Sequence, residues 1–164
     1  MPVTPEELES EFVESFGNLY AAYGWKRLEG LIIGLLLVRA CTMSLDEICV
    51  ALGRSKGPIS ESVRQLAERG FVRKMAGSEN RRDYYAIDPD VFHHNHQRNM
   101  QTVRKNRAIA EQFLARLGDD AEHEGTRRNL RHMFAFYTMM EQFYHDFSAQ
   151  WTAEKLRLQR RSAT

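Results

Sequence analysis

Residues 44–74 constrain the fold more than any other part of the chain. They read SLDEICVALGRSKGPISESVRQLAERGFVRK and hold two short helical patterns separated by a four-residue joint. Ser44 and Glu47 have the spacing of a capping box, which begins a helix, and Gly53 stands where a left-handed helix end is expected. Ser55 is predicted to cap a second helix, so the segment predicts two helices in tight succession.

A β-hairpin is predicted directly after the second helix. Residues 71–75 and 83–87 have the composition of strands, and residues 76–81 between them contain the glycine and asparagine typical of a hairpin tip. The order helix, tight joint, helix and hairpin is that of a winged helix-turn-helix. We therefore expect a mainly α fold with a small β-wing, in which residues 44–88 form the winged domain.

An N-terminal region, residues 1–43, is predicted to contain two helices. The first, at 4–23, begins with the capping-box pattern TPEE, and the second, at 26–39, is apolar on nearly every side. A helix of that kind is expected to be buried centrally. Gly30 and Gly34 lie four residues apart on it and could allow the backbone of a neighbouring helix to approach closely.

A C-terminal region, residues 89–164, is predicted to contain two longer helices. The first spans 89–117, and the second runs from about Arg127 past Trp151 and ends in a frayed basic tail, Lys155 to Arg161. One winged domain cannot bury the apolar stripes of these helices. The prediction is therefore a two-fold dimer in which the N- and C-terminal helices interlock. The predicted dimerisation residues are Leu8, Phe12, Phe16, Phe113, Leu117, Phe136, Tyr137, Met140, Phe143, Tyr144, Phe147 and Trp151.

Charge is distributed unevenly along a chain whose net charge is only +1. Residues 1–53 carry three basic and eight acidic side chains, residues 54–82 carry eight basic and three acidic ones, and the remainder is nearly balanced. A polyanion responds to local potential rather than to bulk charge. The basic block coincides with the predicted winged domain, so double-stranded DNA is the expected partner.

The parts of the basic block have distinct predicted roles at DNA. The outer face of the second helix would enter the major groove, with Arg64 reading a base edge. The start of that helix at Ser55 offers backbone N–H groups to a phosphate, and Gly57 lets the backbone come close. Arg81 and Arg82 at the hairpin tip would reach the minor groove or its phosphates. The predicted DNA-binding residues are Ser55, Lys56, Gly57, Ser60, Glu61, Arg64, Gln65, Arg73, Lys74, Arg81 and Arg82.

The segment MSLDEICVALGRSKGPISESVRQLAERGFVRK, followed by SENRRDYYAID, resembles the MarR superfamily of bacterial regulators and specifically its GbsR-type branch. The apolar helix GLIIGLLLVRA resembles the same branch, and the resemblance covers about residues 12–117. It implies a dimeric transcriptional regulator, often a repressor. Pro58 stands where a small residue such as serine is more usual. The branch includes a choline-responsive regulator. The implied DNA contacts map onto Ser55, Lys56, Gly57, Ser60, Arg64, Arg81 and Arg82.

The aromatic stripe of the last helix has two interpretations. Its rings could form a cage for a cationic small-molecule effector, or they could form dimer core, which is the commoner role of such a stripe. The nearby His93, His94 and His96 have spacings that scatter them around a helix, so no metal site is predicted. Cys41 and Cys49 are predicted to be small core residues in a reducing cytoplasm, with a thiol redox sensor as the alternative.

Enzymatic function is not predicted. The sequence contains no glycine-rich phosphate loop, nucleophile elbow or metal-ligand motif, so no cofactor is expected. The longest apolar run, residues 31–38, is too short to span a membrane, which favours a cytoplasmic protein. The leading hypothesis is a homodimeric DNA-binding transcriptional repressor that binds a pseudo-palindromic operator and responds to an effector. The alternatives are a winged-helix protein-interaction module without DNA binding and a small-molecule sensor whose output is not DNA.

Overall fold

The structure is a computed structural model that describes residues 4–76, 82–117 and 121–162. These residues form two compact units, the first ending at Val91 and the second beginning at Phe92. The protein is mostly helical with a small three-stranded sheet, as predicted. The elements are α1 (Pro5–Ala22), α2 (Arg27–Arg39), β1 (Met43–Ser44), α3 (Leu45–Leu52), α4 (Lys56–Glu68), β2 (Val72–Ala76), β3 (Asp83–Ile87), α5 (Val91–Arg116), a 3₁₀ turn (Ala121–His123) and α6 (Glu124–Ser162).

Helices α1 and α2 pack with unusually close backbones, which confirms the prediction from the paired glycines. A Cβ atom added at Gly30 would lie 2.5 Å from the carbonyl oxygen of Phe16, and one added at Gly34 would lie 2.9 Å from Phe16 Cβ. Only glycine fits positions where two helix backbones approach so closely. Helix α1 begins at the predicted capping box, in which Thr4 and Glu7 each bond the other's backbone N–H.

Helices α3 and α4 follow each other as predicted. Ser44 and Glu47 form the expected capping box at the start of α3. Gly53 ends the helix with a φ of 59°, in the left-handed region that glycine enters without steric cost. The chain then turns within three residues into α4, which holds the two helices of the winged domain close together.

The sheet has the strand order β1-β3-β2, and all its pairings are antiparallel. The predicted hairpin is present, with β2 displaced by one residue from the predicted 71–75. Strand β1 was not predicted because it contains only Met43 and Ser44, which pair with Tyr85 and Tyr84. A two-residue strand has no periodicity to detect.

One apolar core joins α1 and α2 to the winged domain within the first unit. Helix α2 contributes most to it, which confirms the prediction that this apolar helix lies centrally. The buried apolar residues of the core are Val13, Tyr20, Leu31, Ile32, Ile33, Leu35, Leu36, Met43, Ile48, Ile59, Val63, Leu66, Phe71, Val72, Tyr85 and Val91.

A buried ion pair connects α2 to the end of α4. Arg69 Nη1 donates to both carboxylate oxygens of Glu29, at 3.1 and 3.2 Å, and the Glu29 side chain is almost fully buried. The guanidinium carbon of Arg69 also lies 4.7 Å from the ring centroid of Trp25. These contacts fix the position of α4 relative to α2.

In the second unit, α5 and α6 run antiparallel. The ring of His96 stacks on Tyr144, with centroids 4.7 Å apart. Further along α5, Arg104 and Arg107 both donate to Glu141, at 2.7 and 2.9 Å. Residues later in α5 therefore contact residues earlier in α6, as expected for antiparallel helices.

Three predictions about the chain outside the winged domain are wrong. Helix α6 begins at Glu124 rather than near Arg127, and a 3₁₀ turn, Ala121–His123, lies in the stretch between the two predicted helices. The basic tail is helical to Ser162, where Arg157 makes two hydrogen bonds to Glu154 one turn earlier. Cys41 is exposed rather than part of the core, because it lies in the turn after α2.

Along the described ranges, none of the helices is both long enough and apolar enough to cross a membrane.

Candidate nucleic-acid interface

Helix α4 has the two faces that a major-groove helix needs. Ile59, Val63 and Leu66 are fully buried, as predicted, and Ser62 is buried beside them. The opposite face is exposed along Lys56, Gly57, Ser60, Glu61 and Arg64, whereas Gln65 is half-buried. This division follows from the helical repeat, which returns residues three and four apart to the same side.

The N-terminus of α4 is open to an external partner. Ser55 has the extended backbone of an N-cap, but its side chain makes no capping hydrogen bond, contrary to the prediction that it would cap the helix. The exposed hydroxyl and the first backbone N–H groups of the helix can therefore bind an anion. A Cβ atom added at Gly57 would have nothing within 4 Å, so this stretch of backbone faces open space.

Lys56 is held by a carboxylate of the preceding helix. Its ammonium donates to Asp46 Oδ1 at 2.9 Å, and both side chains are largely exposed. The hydrogen bond from Lys56 holds the pKa of the Asp46 carboxyl below its ordinary value, and the same bond raises the pKa of Lys56. The pair is therefore fully ionised at neutral pH.

Ion pairs also involve the middle of the exposed α4 face. Lys26, which immediately precedes α2, donates to Glu61 Oε1 at 2.7 Å, and this hydrogen bond lowers the pKa of Glu61. Gln65 donates to the same oxygen at 3.1 Å. Arg64 lies 3.9 Å from Glu68, a longer contact between two well-exposed side chains. Arg64 is therefore held more loosely than Lys56.

The wing contributes a second group of cations. Arg73 and Lys74 lie on β2 and approach Asp88 and Asp83, at 3.5 and 2.8 Å respectively. Both cations remain more than half exposed, so they can also reach a phosphate. Arg82 precedes β3 and is exposed. Arg81, predicted to contact DNA from the hairpin tip, lies outside the described residues.

Sequence reasoning missed Arg54 as a member of this surface. It is exposed in the joint before Ser55, and with Arg27 it borders a cavity of about 400 Å³ at the start of α4. Arg27 is paired with Glu14, whereas Arg54 makes no ion pair with any described residue. The sequence signal for Arg54 was its position directly before Ser55 and Lys56, which were predicted to contact DNA.

The predicted dimerisation residues divide into two groups. Some pack within their own chain, as Phe16 does against the core of the first unit and Tyr144 does against His96. The remainder of the half-buried group is Leu117, Tyr137, Met140 and Trp151. The exposed group is Leu8, Phe12, Phe113, Phe136, Phe143 and Phe147.

A metal centre is not found in the part of the chain that the structure describes, where no three histidine, cysteine, aspartate or glutamate side chains are grouped to hold an ion. His93 and His96 do lie on one side of α5, with ring centroids 6.5 Å apart. His96 is bonded instead to the Tyr144 carbonyl and the Ser148 hydroxyl, at 2.9 and 3.0 Å.

Comparison with known proteins agrees with this geometry. Residues 26–87 match the family described as the winged helix DNA-binding domain. The HTH-type transcriptional regulator MmpR5 of Mycobacterium tuberculosis is 31% identical over 130 residues, which are 77% of this chain and 78% of that protein. The HTH-type transcriptional repressor OpcR of Bacillus subtilis is 24% identical over 87 residues, which are 53% of this chain and 47% of OpcR.

A solved structure extends the likeness to most of the chain. A crystal structure of a transcriptional regulator superposes with a TM-score of 0.70 at 29% sequence identity. The superposition covers 88% of this chain and 98% of that one. The likeness therefore includes the flanking helices as well as the winged domain.

Proposed function

The chain belongs to the family of winged-helix HTH-type transcriptional regulators, and from this premise we propose that it is a homodimeric repressor that binds a pseudo-palindromic DNA operator. The observation that carries the proposal is the exposed face of α4, where Lys56, Ser60 and Arg64 lie beside an open helix N-terminus. We assign residues 44–88 to DNA binding and the flanking regions 1–43 and 89–164 to dimerisation. A regulator of transcription works where the chromosome is, in the cytoplasm.

The predicted contacts divide into two kinds. Arg64 can form the bidentate pair with guanine that arginine makes in the major groove. Ser55, Gly57 and the exposed Arg54 would bind phosphates, which position the protein without reading sequence. The wing cations Arg73, Lys74 and Arg82 would bind DNA phosphates on the other side of α4.

The dimer is supported by the apolar surface of α6. Phe143 is 67% exposed and Met139 is 75% exposed, and Phe136 and Phe147 are exposed near them. A contiguous apolar surface of this kind usually marks a protein interface. A two-fold dimer would cover it and would present two copies of α4 to successive turns of the major groove.

Repression is supported by two observations. OpcR, which shares part of this sequence, is a transcriptional repressor. The motifs LGRSKGPIS and RRDYY also support placing this chain in the GbsR-type branch of the MarR superfamily. A dimer that covers its operator would block access of the polymerase, and an effector that weakens the complex would restore transcription.

The test is to footprint the protein across its genome and then to measure binding to the recovered fragments by fluorescence anisotropy. Arg64→Ala is expected to lower specific affinity by about tenfold or more, because one bidentate base contact contributes about 1–3 kcal/mol. Arg128→Ala, an exposed arginine on α6, is the matched control and should bind as the unmodified protein does. Equal affinities for the two variants, or no preference for genomic sites over random duplex, would refute the proposal.

A further inference from the structure

The second unit contains a cavity that the proposed function does not explain. It has a volume of about 550 Å³ and lies between the first turns of α5 and the middle of α6. Sites for small organic molecules have volumes of about 300–1,000 Å³. The cavity is therefore large enough for a small organic molecule.

One wall of the cavity is aromatic. Phe143, Tyr144, Phe147 and Trp151 all belong to α6, and the last three are spaced three and four residues apart, so that they share one side of the helix. Aromatic rings of this kind bind a planar apolar molecule by stacking and by edge contacts.

The opposite wall is polar but uncharged. Asn95 and Asn99 lie one turn apart on α5, and neither side-chain amide is hydrogen-bonded to another described residue. Each carboxamide can donate and accept a hydrogen bond. His96 also lines this wall, but its Nε2 already interacts with the Tyr144 carbonyl and the Ser148 hydroxyl. The groups available to a ligand are therefore the two carboxamides and the buried Nδ1 of His93, which has no hydrogen-bond partner among the described residues.

The lining argues against a charged ligand. Among the described residues, no carboxylate, ammonium or guanidinium group borders the cavity, and the basic side chains there are the imidazoles of His93 and His96. The imidazole of His96 lies 4.7 Å from the rings of both Tyr144 and Phe147, so one side of each ring is already covered. An aromatic cage for a cation needs ring faces that are free on several sides.

We propose that this cavity binds an uncharged planar aromatic molecule that carries a paired hydrogen-bond donor and acceptor, such as a carboxamide. The aromatic part stacks on the α6 rings, and the polar edge bonds Asn95 and Asn99. Phe143 and Phe147 also belong to the surface proposed for dimerisation, so the site requires that the partner subunit leaves these two rings accessible.

Regulation through this cavity rests on the proposed function. The α5 residues that line it begin directly after Val91, which is buried in the core that contains the winged domain. A ligand that orders the first turns of α5 therefore acts close to the chain connection between the two units. The bound molecule is the effector of the repressor.

Three probes of the same size test the ligand class. They are 2-naphthamide, 2-naphthoate and (2-naphthylmethyl)trimethylammonium, which carry a neutral, an anionic and a cationic group on one bicyclic ring. Binding is measured on the full-length protein by ¹⁵N NMR of the two tryptophan indoles, which Trp25→Phe assigns. We expect 2-naphthamide to shift the Trp151 signal saturably and to leave the Trp25 signal unmoved. Both charged probes should bind at least about tenfold more weakly, because the described lining offers neither of them a carboxylate, ammonium or guanidinium partner.

Variants separate the carboxamides from the rest of the cavity. Asn95→Ala combined with Asn99→Ala should weaken 2-naphthamide binding about tenfold or more, since two hydrogen bonds are lost. Asn106→Ala is the matched control, because its amide bonds the Thr102 carbonyl on the same helix, away from the cavity. Three results would overturn the proposal: no saturable binding of 2-naphthamide, equal binding of all three probes, or equal effects of the double variant and the control. The first is expected if a second copy of the chain fills the cavity.

DNA binding is read separately from ligand binding. Failure of the unmodified protein to bind any genomic site would refute the proposed function and leave the NMR result unaffected. If the protein binds DNA, saturating 2-naphthamide should change its operator affinity, and the Asn95/Asn99 double variant should lose that response. An unchanged operator affinity with a filled site would overturn the effector role.

Discussion

Gly57 and Gly30 both lie in helices, but the space around the two residues is opposite in character. Gly57 has open space where a side chain would lie, and Gly30 has the Phe16 carbonyl oxygen within 2.5 Å of that position. The fold therefore has no need of glycine at residue 57. Glycine there leaves room for an external group to approach the backbone, and a DNA phosphate at the start of α4 is the partner that the proposed function supplies.

Alanine at residue 57 should separate stability from DNA binding. Gly57→Ala is expected to leave the free energy of unfolding unchanged or to raise it by about 0.5–1 kcal/mol, because alanine is the better helix former. Operator affinity should fall about tenfold or more, since the methyl group stands between backbone and phosphate. Urea unfolding and anisotropy measure the two quantities.

Two further glycine variants act as controls. Gly30→Ala should cost about 1–3 kcal/mol of stability by overpacking the α1–α2 contact. Gly125→Ala, at an equally open helical position on α6, should affect stability in the same direction and leave operator affinity unchanged. If Gly57→Ala bound the operator normally, close approach of the DNA backbone at this residue would be excluded.

At the scale of elements, the end of α4 is attached to α2 by a buried charge. Arg69→Met would leave the Glu29 carboxylate, which is 1% exposed, without its guanidinium partner. Loss of one partner of a buried pair costs about 3 kcal/mol or more, and the partial exposure of Arg69 places the expected loss at the lower end. Urea unfolding should show this loss for Arg69→Met and almost none for Arg64→Met, whose side chain is exposed. Equal stabilities would mean that the pair does not hold α4 in place.

The ion pair between Asp46 on α3 and Lys56 on α4 is expected to lower the affinity for DNA. Asp46 competes with phosphate for Lys56, so Asp46→Asn is expected to raise operator affinity severalfold at low salt. Because the Lys56 hydrogen bond lowers the pKa of Asp46, acid releases Lys56 only below the ordinary range of a carboxyl group. Operator affinity should therefore not change through this pair between about pH 6 and pH 8.

The control for Asp46→Asn is Asp146→Asn on α6. Both aspartates are 57% exposed, and the two substitutions change the net charge equally. An affinity gain shared by both variants would point to bulk charge rather than to release of Lys56. A loss of affinity in Asp46→Asn would mean that Asp46 orients Lys56 for DNA.

For the whole molecule, binding should depend steeply on salt although the net charge is only +1. A dimer that makes about 6–10 phosphate contacts should lose about 10³–10⁵-fold in affinity between about 50 and 200 mM salt. Ion pairs such as Lys74–Asp83 must open when phosphates replace the carboxylates. Binding at such a pair therefore releases fewer ions in total than binding by an unpaired cation. The slope of log affinity against log salt concentration is expected at the shallow end of that range. Anisotropy titrations measure it, and a flat response would contradict a DNA interface on the basic block.

Local features of this protein could be read from its sequence. The capping box at Ser44, the left-handed Gly53, the inner face of α4 and the hairpin strands all depend on residues within a few positions of one another. Hydrogen bonds and helical periodicity at that range are present in any compact arrangement of the chain. The same short-range signals identified the winged helix-turn-helix.

Only the tertiary structure decided which charges meet. Lys56 pairs with Asp46 ten residues away, Lys26 with Glu61 at a separation of 35, and Arg69 with Glu29 at a separation of 40. It also decided that Tyr144 packs on α5 while Phe143, its neighbour in sequence, is exposed. These outcomes depend on the angles and distances at which whole elements pack. Spacing along the chain carries no information about them, because residues far apart become neighbours only once the core has formed.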